Sequence, residues 1–354
     1  MSSYPLNPRR GRGAVSNTPS RYVERAIDPD PSADPEAAPV ETRLHLERAH
    51  TIISRNRSAD VPFDQSINPY RGCEHGCVYC FARPSHTRLG MSAGLDFETE
   101  IFFKPDAPQL LAREFERPGY RPSVIHMGSN TDPYQPVEQR LGLTRALLER
   151  FLEYRHPVTI LTKSTLVLRD IDLLGELSRL GLVRVALSIT TLDDGLKRLL
   201  EPRAAGGPAR LRALAALSAA GVPTAVMVAP VIPYVTDGEM ETILTAARES
   251  GARRAGWILL RLPLEVRMLF SEWLQVHRPH AAGRVLALLN DSHDGKLYDA
   301  RFQHRMTGSG PYAKLLARRF ALVTRRLGFD TTRSTPHDLS QFRRPVRSGQ
   351  IPLF

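Results

Sequence analysis

The chain is predicted to be an α/β protein with a parallel sheet covered by helices. Two patterns carry that prediction: short apolar runs alternate with amphipathic stretches from about residue 60 to residue 265, and the stretches keep helical spacing. A third observation agrees, because Gly181 and Gly221 stand where a helix should end and the next strand begin.

The apolar runs are 123–127, 158–162, 183–189, 224–229 and 257–262, with a less apolar run at 66–70 ahead of them. Between them, Leu141, Thr144, Leu148, Phe151 and Leu152 share one helical face, as do Leu211, Leu214, Leu217 and Ala220. Short, right-handed crossovers then favour a barrel or a doubly wound sheet. Six strands fall short of the eight of a closed (β/α)8 barrel. In either architecture, ligands gather at the C-terminal ends of the strands, so the segments following each run are where chemistry is expected.

Two flanks lack this alternation. Residues 1–58 are rich in Pro, Arg, Ser and acidic groups and read as a flexible N-terminal extension. Its Arg10-Gly-Arg-Gly-Ala14 stretch reads as a tail that wraps over its own domain or, as the alternative, a nucleic-acid arm. Residues 59–265 form the core, and 266–354 a C-terminal helical extension and tail containing a basic helix over 312–327. On that helix Lys314, Arg318 and Arg325 fall near one face, as either a phosphate-tracking stripe or a solvated surface.

The chain of 354 residues carries 48 Lys+Arg against 37 Asp+Glu, a net charge of +11, which suits an anionic partner such as nucleic acid. No apolar run approaches the roughly 18–20 residues of a spanning helix, and no apolar stretch follows Arg9, Arg10 and Arg12 as a secretory signal requires. The expectation is a cytoplasmic protein without membrane contact. All three cysteines lie between residues 73 and 80, an arrangement that fits a reducing compartment and a metal or redox role.

The motif is Cys73-Glu-His-Gly-Cys77-Val-Tyr-Cys80. Three thiolates within eight residues can wrap one metal centre, and three ligands on a four-iron cluster leave one iron open for a chelating ligand. Two other readings of the residues stay open: a zinc site with His75 as fourth ligand, or three buried structural cysteines.

The CxxxCxxC spacing after a first strand, with the aromatic Tyr79 before the last cysteine, resembles the radical S-adenosylmethionine (radical SAM) superfamily. The resemblance implies a partial (β/α)6 TIM-like barrel, a [4Fe-4S] cluster on Cys73, Cys77 and Cys80, and S-adenosyl-L-methionine on the open iron. It further implies an external reductant such as flavodoxin or ferredoxin, and hydrogen abstraction from a substrate by a 5′-deoxyadenosyl radical. Later strand ends resemble the spore photoproduct lyase branch. There Gly128-Ser-Asn-Thr-Asp132 replaces the GGE-like motif of many members, Thr162-Lys-Ser164 follows the third strand, and Glu201-Pro-Arg203 follows the fourth. The resemblance makes Asn130, Thr131, Asp132, Lys163, Ser188 and Arg203 the expected cofactor contacts. Tyr79 and Tyr134 are candidate radical relays. The branch's hydrogen-donating cysteine corresponds to Ser129 here and a following tyrosine to Phe81, so spore photoproduct repair is not expected.

Three functions therefore stand side by side. They are a radical enzyme acting on an unidentified substrate, with nucleic acid favoured by charge; a non-catalytic iron–sulfur or zinc nucleic-acid-binding module; and, more weakly, an electron-transfer protein.

Overall fold

The computed structural model describes residues 6–23, 41–330 and 337–345. The acidic run at 28–36 and the C-terminal Ile351-Pro-Leu-Phe354 lie outside the described residues.

Among the described residues ten strands are formed: β1 (Arg43–Leu46), β2 (Ile53–Arg55), β3 (Gln65–Ile67), β4 (Tyr70–Arg71), β5 (Glu100–Phe103), β6 (Ile125–Met127), β7 (Val158–Thr162), β8 (Val183–Ser188), β9 (Thr224–Val231) and β10 (Arg254–Leu259). Their composition explains them. β7 reads Val-Thr-Ile-Leu-Thr, four of its five residues β-branched, with Val158, Ile160 and Thr162 buried on one face. Seven strands pair in the order β10-β9-β8-β7-β6-β3-β2. The six from β3 to β10 in this sheet are mutually parallel and follow chain order, and β2 closes one edge antiparallel to β3. Among the described residues β10 and β3 do not pair, so the expected six-stranded αβ sheet is present and open rather than closed. A second sheet, β1-β5-β4, was not anticipated. The run at 66–70 is split between the two: Gln65–Ile67 joins the large sheet and Tyr70–Arg71 the small one, with Pro69 breaking the ladder between them. The last strand lies three residues earlier than its apolar run suggested.

Helices pack the outer face. Leu143–Glu153 buries Leu147, Leu148 and Phe151, each worth about 1.5–3 kcal/mol on removal from water. Its start is set by Gly142, held at φ 65° between it and the short helix Glu138–Leu141. Helix Gly207–Ala219 buries Ala213, Leu214 and Leu217 against the same core. Beyond β10, helix Glu265–His277 buries Val266, Leu269, Phe270 and Trp273, and the Trp273 indole donates to the Leu199 carbonyl at 3.0 Å. On helix Pro311–Arg326, Lys314, Arg318 and Arg325 are exposed, whereas Arg319 pairs with Glu241.

Within the N-terminal segment, residues 13–16 are buried against the cysteine loop. The Gly13 and Ala14 amides donate to the Glu98 carboxylate at 3.0 and 2.8 Å. Glu98 also takes the Arg83 guanidinium at 2.5 Å, an ion pair with both side chains at 0% exposure. A Cβ at Gly13 would lie 1.8 Å from the Gly76 carbonyl oxygen, so only glycine permits this approach.

Two histidines shielded from water, the half-buried His126 on β6 and the buried His156 just ahead of β7, set an acid limit on stability. Burial lowers His126 to about 4 and His156 to about 3. Unfolded, each titrates near 6.5. Above that pH they contribute nothing; below it only the unfolded chain gains the protons, so stability falls by up to about 1.4 kcal/mol per pH unit for each histidine. Melting temperature should drop between pH 6.5 and 4.5, and the drop should shrink in His156→Gln. An unchanged slope in the variant would contradict the assignment.

Candidate active site at the strand ends

Strand ends β6 to β10 and the cysteine loop enclose a cavity of about 170 Å³. All three cysteines line it, and none is in a disulfide. The loop is fixed from behind. Arg83 donates from Nε to the Cys77 carbonyl at 2.9 Å and from Nη2 to the Gly76 carbonyl at 3.3 Å. Gln135 accepts from the Glu74 amide at 2.9 Å and donates to the Gly72 carbonyl at 3.2 Å. These hydrogen bonds hold the backbone of the loop that carries the thiols.

Burial pushes the Cys77 thiol up to about 12, with the Glu201 charge adding to it. Burial and the charge of Asp132 raise Cys73 as well, and burial raises Cys80. Bare thiolates here would be uncompensated negative charges; metal ions compensate them, and a coordinating thiol gives up its proton outright. The soft donor set and its buried setting therefore fit a metal–sulfur group. Among the described residues no three Cys, His, Asp or Glu groups converge on a single metal-ion position. His75 lines the cavity beside the thiols, and its Nδ1 lies 3.3 Å from Asp132, which fixes the ring from behind.

The strand-end residues divide into those that face the cavity with capacity to bind and those that do not. Lys163 reaches in from β7: its Nζ donates to Ser188 Oγ at 2.8 Å and the Ala229 carbonyl at 3.1 Å, and lies 3.3 Å from Glu201 Oε1. Ser188, on β8, faces the same space. Thr131 donates its hydroxyl to the Tyr70 carbonyl at 3.0 Å, leaving oxygen lone pairs to accept, and the Asn130 amide is fixed by Asn68 at 3.1 Å. Tyr79 also lines the cavity, its hydroxyl bonded to Glu201 and, at 3.1 Å, to Thr190.

Three expected site residues are placed otherwise. Asp132 faces the cavity, but its oxygens are consumed: Oδ1 accepts from Thr162 Oγ1 and the Tyr134 amide, Oδ2 from the Lys163 amide and His75. No acceptor is left for an ammonium, and the carboxylate instead ties the cysteine loop to the ends of β6 and β7. Burial opposes its charge, yet His75 and these hydrogen bonds hold it below the usual carboxylate range. Arg203 points to the far side of the loop, where it pairs with Glu74 at 2.8 Å, because the chain turns away after Pro202. Tyr134 is fully buried in the main core and does not line the cavity. Ser129 bonds Asn68 and likewise stays out of it.

Sequence reading gave too little weight to Glu201 and missed Arg210. Both are 1% exposed and ion-paired, and Arg210 also donates to the Ser188 carbonyl at 2.7 Å. Burial opposes the Glu201 charge, but Arg210 and Lys163 hold its carboxyl well below the ordinary range. It missed Arg261 too, which enters the cavity mouth from beyond β10 and lies 4.9 Å over the exposed Phe81 ring. The hints for Glu201 were its position after a strand and the resemblance of Glu201-Pro-Arg203; nothing in the sequence pairs it with a residue nine positions on.

An open, chain-ordered parallel sheet with three thiols at its strand ends defines a class. The radical SAM superfamily model matches residues 67–247, half of the chain, and the protein belongs to that superfamily. Its members use an iron–sulfur cluster and S-adenosylmethionine. Among relatives, the chain is 38% identical over 233 residues to "Uncharacterized protein Rv2578c" of Mycobacterium tuberculosis, covering 65% of this chain and 68% of that one. It is 32% identical over 173 residues to "Uncharacterized protein MJ0683" of Methanocaldococcus jannaschii, 49% and 62% of the two chains. In fold it is similar to spore photoproduct lyase complexed with dinucleoside spore photoproduct, with a TM-score of 0.55 at 15% identity over 80% and 79% of the chains. A mutant of that lyase with bound AdoMet and dinucleoside spore photoproduct gives 0.56 at the same identity and coverage. Among the described residues no helix is long and apolar enough to cross a membrane.

Proposed function

We propose that the chain holds a [4Fe-4S] cluster on Cys73, Cys77 and Cys80 and cleaves S-adenosylmethionine reductively to act on an unidentified substrate. The observation that carries the proposal is the convergence of all three thiols with Lys163, Ser188 and Thr131 on one cavity at the strand ends. The cluster reading is favoured over zinc by the superfamily to which the chain belongs, whose members use an iron–sulfur cluster.

When bound, the cluster and S-adenosylmethionine supply one electron and a sulfonium whose cleavage yields methionine and a 5′-deoxyadenosyl radical. The chain's own residues bind and orient. Lys163 Nζ and Ser188 Oγ, 2.8 Å apart, form a cationic, hydrogen-bonding pair for a carboxylate. Thr131 Oγ1 and the Asn130 side chain offer acceptors for an ammonium. Backbone at Ala229 and Pro230 closes the β9 side of the cavity, where a flat ring would lie. Glu201, itself paired with Arg210, holds Lys163 and Tyr79 in place. Of the two candidate relays, Tyr79 faces the cavity. Nucleic acid is the favoured substrate class, supported by the +11 net charge and by the cationic Arg261 with exposed Phe81 at the cavity mouth. Ser129 supplies no thiol, so spore photoproduct repair is not part of the proposal.

The test is anaerobic reconstitution with iron and sulfide, addition of dithionite and S-adenosylmethionine, and chromatography for 5′-deoxyadenosine. Its absence with or without oligonucleotide, at about four irons per chain, would move the protein to the binding-module reading. Lys163→Met should leave iron content unchanged and weaken S-adenosylmethionine binding by about tenfold to a hundredfold, the loss of one charge-assisted pair. Unchanged affinity would remove Lys163 from the cofactor site.

A further inference from the structure

The cysteine loop is a wall between two cavities. On its inner side Cys73, His75, Cys77 and Cys80 line the thiol cavity. Glu74, between Cys73 and His75, lines a different and much wider cleft of about 840 Å³ on the outer side. The two cavities share no lining residue.

The outer cleft is basic. Arg10, Arg12, Arg140 and Arg203 line it against two carboxylates, Glu41 and Glu74. Glu74 is already engaged: its Oε1 accepts from Arg203 at 2.8 Å and from Thr42 at 2.7 Å. Thr42 Oγ1 in turn accepts from Arg203 at 3.2 Å and Arg12 at 3.4 Å, which brings two guanidiniums to one hydroxyl. Like charges held this close favour an anionic partner. Arg10 and Arg140 stand exposed at the rim. The cleft is broad and shallow, unlike the enclosed pocket a small molecule needs, so its shape suits a protein surface. What it backs onto matters more. Glu74 faces this cleft while its neighbours Cys73 and His75 face the thiol cavity, so a partner seated here lies against the outer side of the cysteine loop and leaves the inner cavity clear.

We propose that this cleft is the docking surface of an acidic one-electron donor protein of the flavodoxin or ferredoxin type. The inference rests on the cluster reading given above. One electron leaves the donor's reduced centre, oxidising it by one electron, and enters the cluster across the loop at Glu74; no bond forms or breaks. The N-terminal segment thereby has a task, since Arg10 and Arg12 build one side of the cleft while Gly13 and Ala14 pin the segment to Glu98.

The test compares the reconstituted full chain with its Arg10→Glu/Arg140→Glu variant. Calorimetry measures binding of a flavodoxin, and bleaching of the cluster absorbance measures its reduction by photoreduced flavodoxin and, separately, by dithionite. The variant should bind flavodoxin about tenfold or more weakly at low salt and be reduced by it correspondingly slowly, with the difference shrinking at high salt. Its reduction by dithionite should match the parent's. Equal flavodoxin affinity and reduction rate in the two proteins would overturn the proposal, as would a loss of oligonucleotide binding with flavodoxin binding intact. Failure of dithionite to reduce the parent's cluster would instead count against the cluster reading, and the calorimetric comparison would still decide the docking surface.

Discussion

Cys77→Ala should abolish the brown chromophore, lower bound iron from about four per chain to a small residue, and reduce 5′-deoxyadenosine formation to background. The fold should survive the change. Arg83 holds the loop through the Cys77 carbonyl, a backbone group that alanine retains, and the Glu98 pair that fixes Arg83 is untouched. Far-ultraviolet circular dichroism of the metal-free proteins should therefore coincide. Full iron content and unchanged absorbance in the variant would show that Cys77 is no ligand. Loss of the fold in the metal-free variant would show that the thiol, rather than the Arg83 clamp, shapes the loop.

Glu201→Ala is expected to be the most destabilising single change at the site. The residue sits 1% exposed between the Arg210 guanidinium and Lys163, and accepts hydrogen bonds from Tyr79 and Thr190. Removing it leaves a fully buried cation without its counter-charge, a loss of about 3–5 kcal/mol. Melting temperature should fall by on the order of 5–10 °C. The diagnostic comparison is Glu201→Leu against Glu201→Leu/Arg210→Met. Removing both charges should recover part of the loss, since the damage comes from the stranded cation rather than from the missing contact. A double variant less stable than the single one would mean that packing around Arg210, not its charge, holds this part of the core. S-adenosylmethionine affinity should fall in the single variant as well, because Lys163 loses the partner that positions its ammonium.

Local sequence carries those parts of the site whose chemistry is local. Cys73, Cys77 and Cys80 lie within one turn-rich loop, so their spacing announces a common centre before any fold is known. Lys163 and Ser188 were singled out by the family resemblance, and a positional rule agrees with it: polar residues at the end of an apolar parallel strand face the cavity that such sheets keep at that edge. The same rule failed for Asp132, which occupies the right place but spends its oxygens on Thr162, Lys163, Tyr134 and His75. It failed for Arg203 because two residues of turn after Glu201 carry the chain to the other side of the loop. Tyr134 was misplaced for a third reason: the turn that Asp132 caps directs the aromatic ring into the core.

The sequence by itself determined the alternation of strands and helices, the thiol centre and the basic charge, because periodicity, spacing and composition are properties of neighbouring residues. Tertiary structure decided the rest. Glu98 reaches from Arg83 to Gly13 and Ala14, across 85 positions at the farthest, to pin the N-terminal segment on the cysteine loop. Glu201 meets Lys163 and Tyr79 only once β7, β8 and the loop lie side by side. Such partnerships are selected by burial: a charge removed from water must find its counterpart wherever the fold brings one, and no short stretch of sequence records where that is.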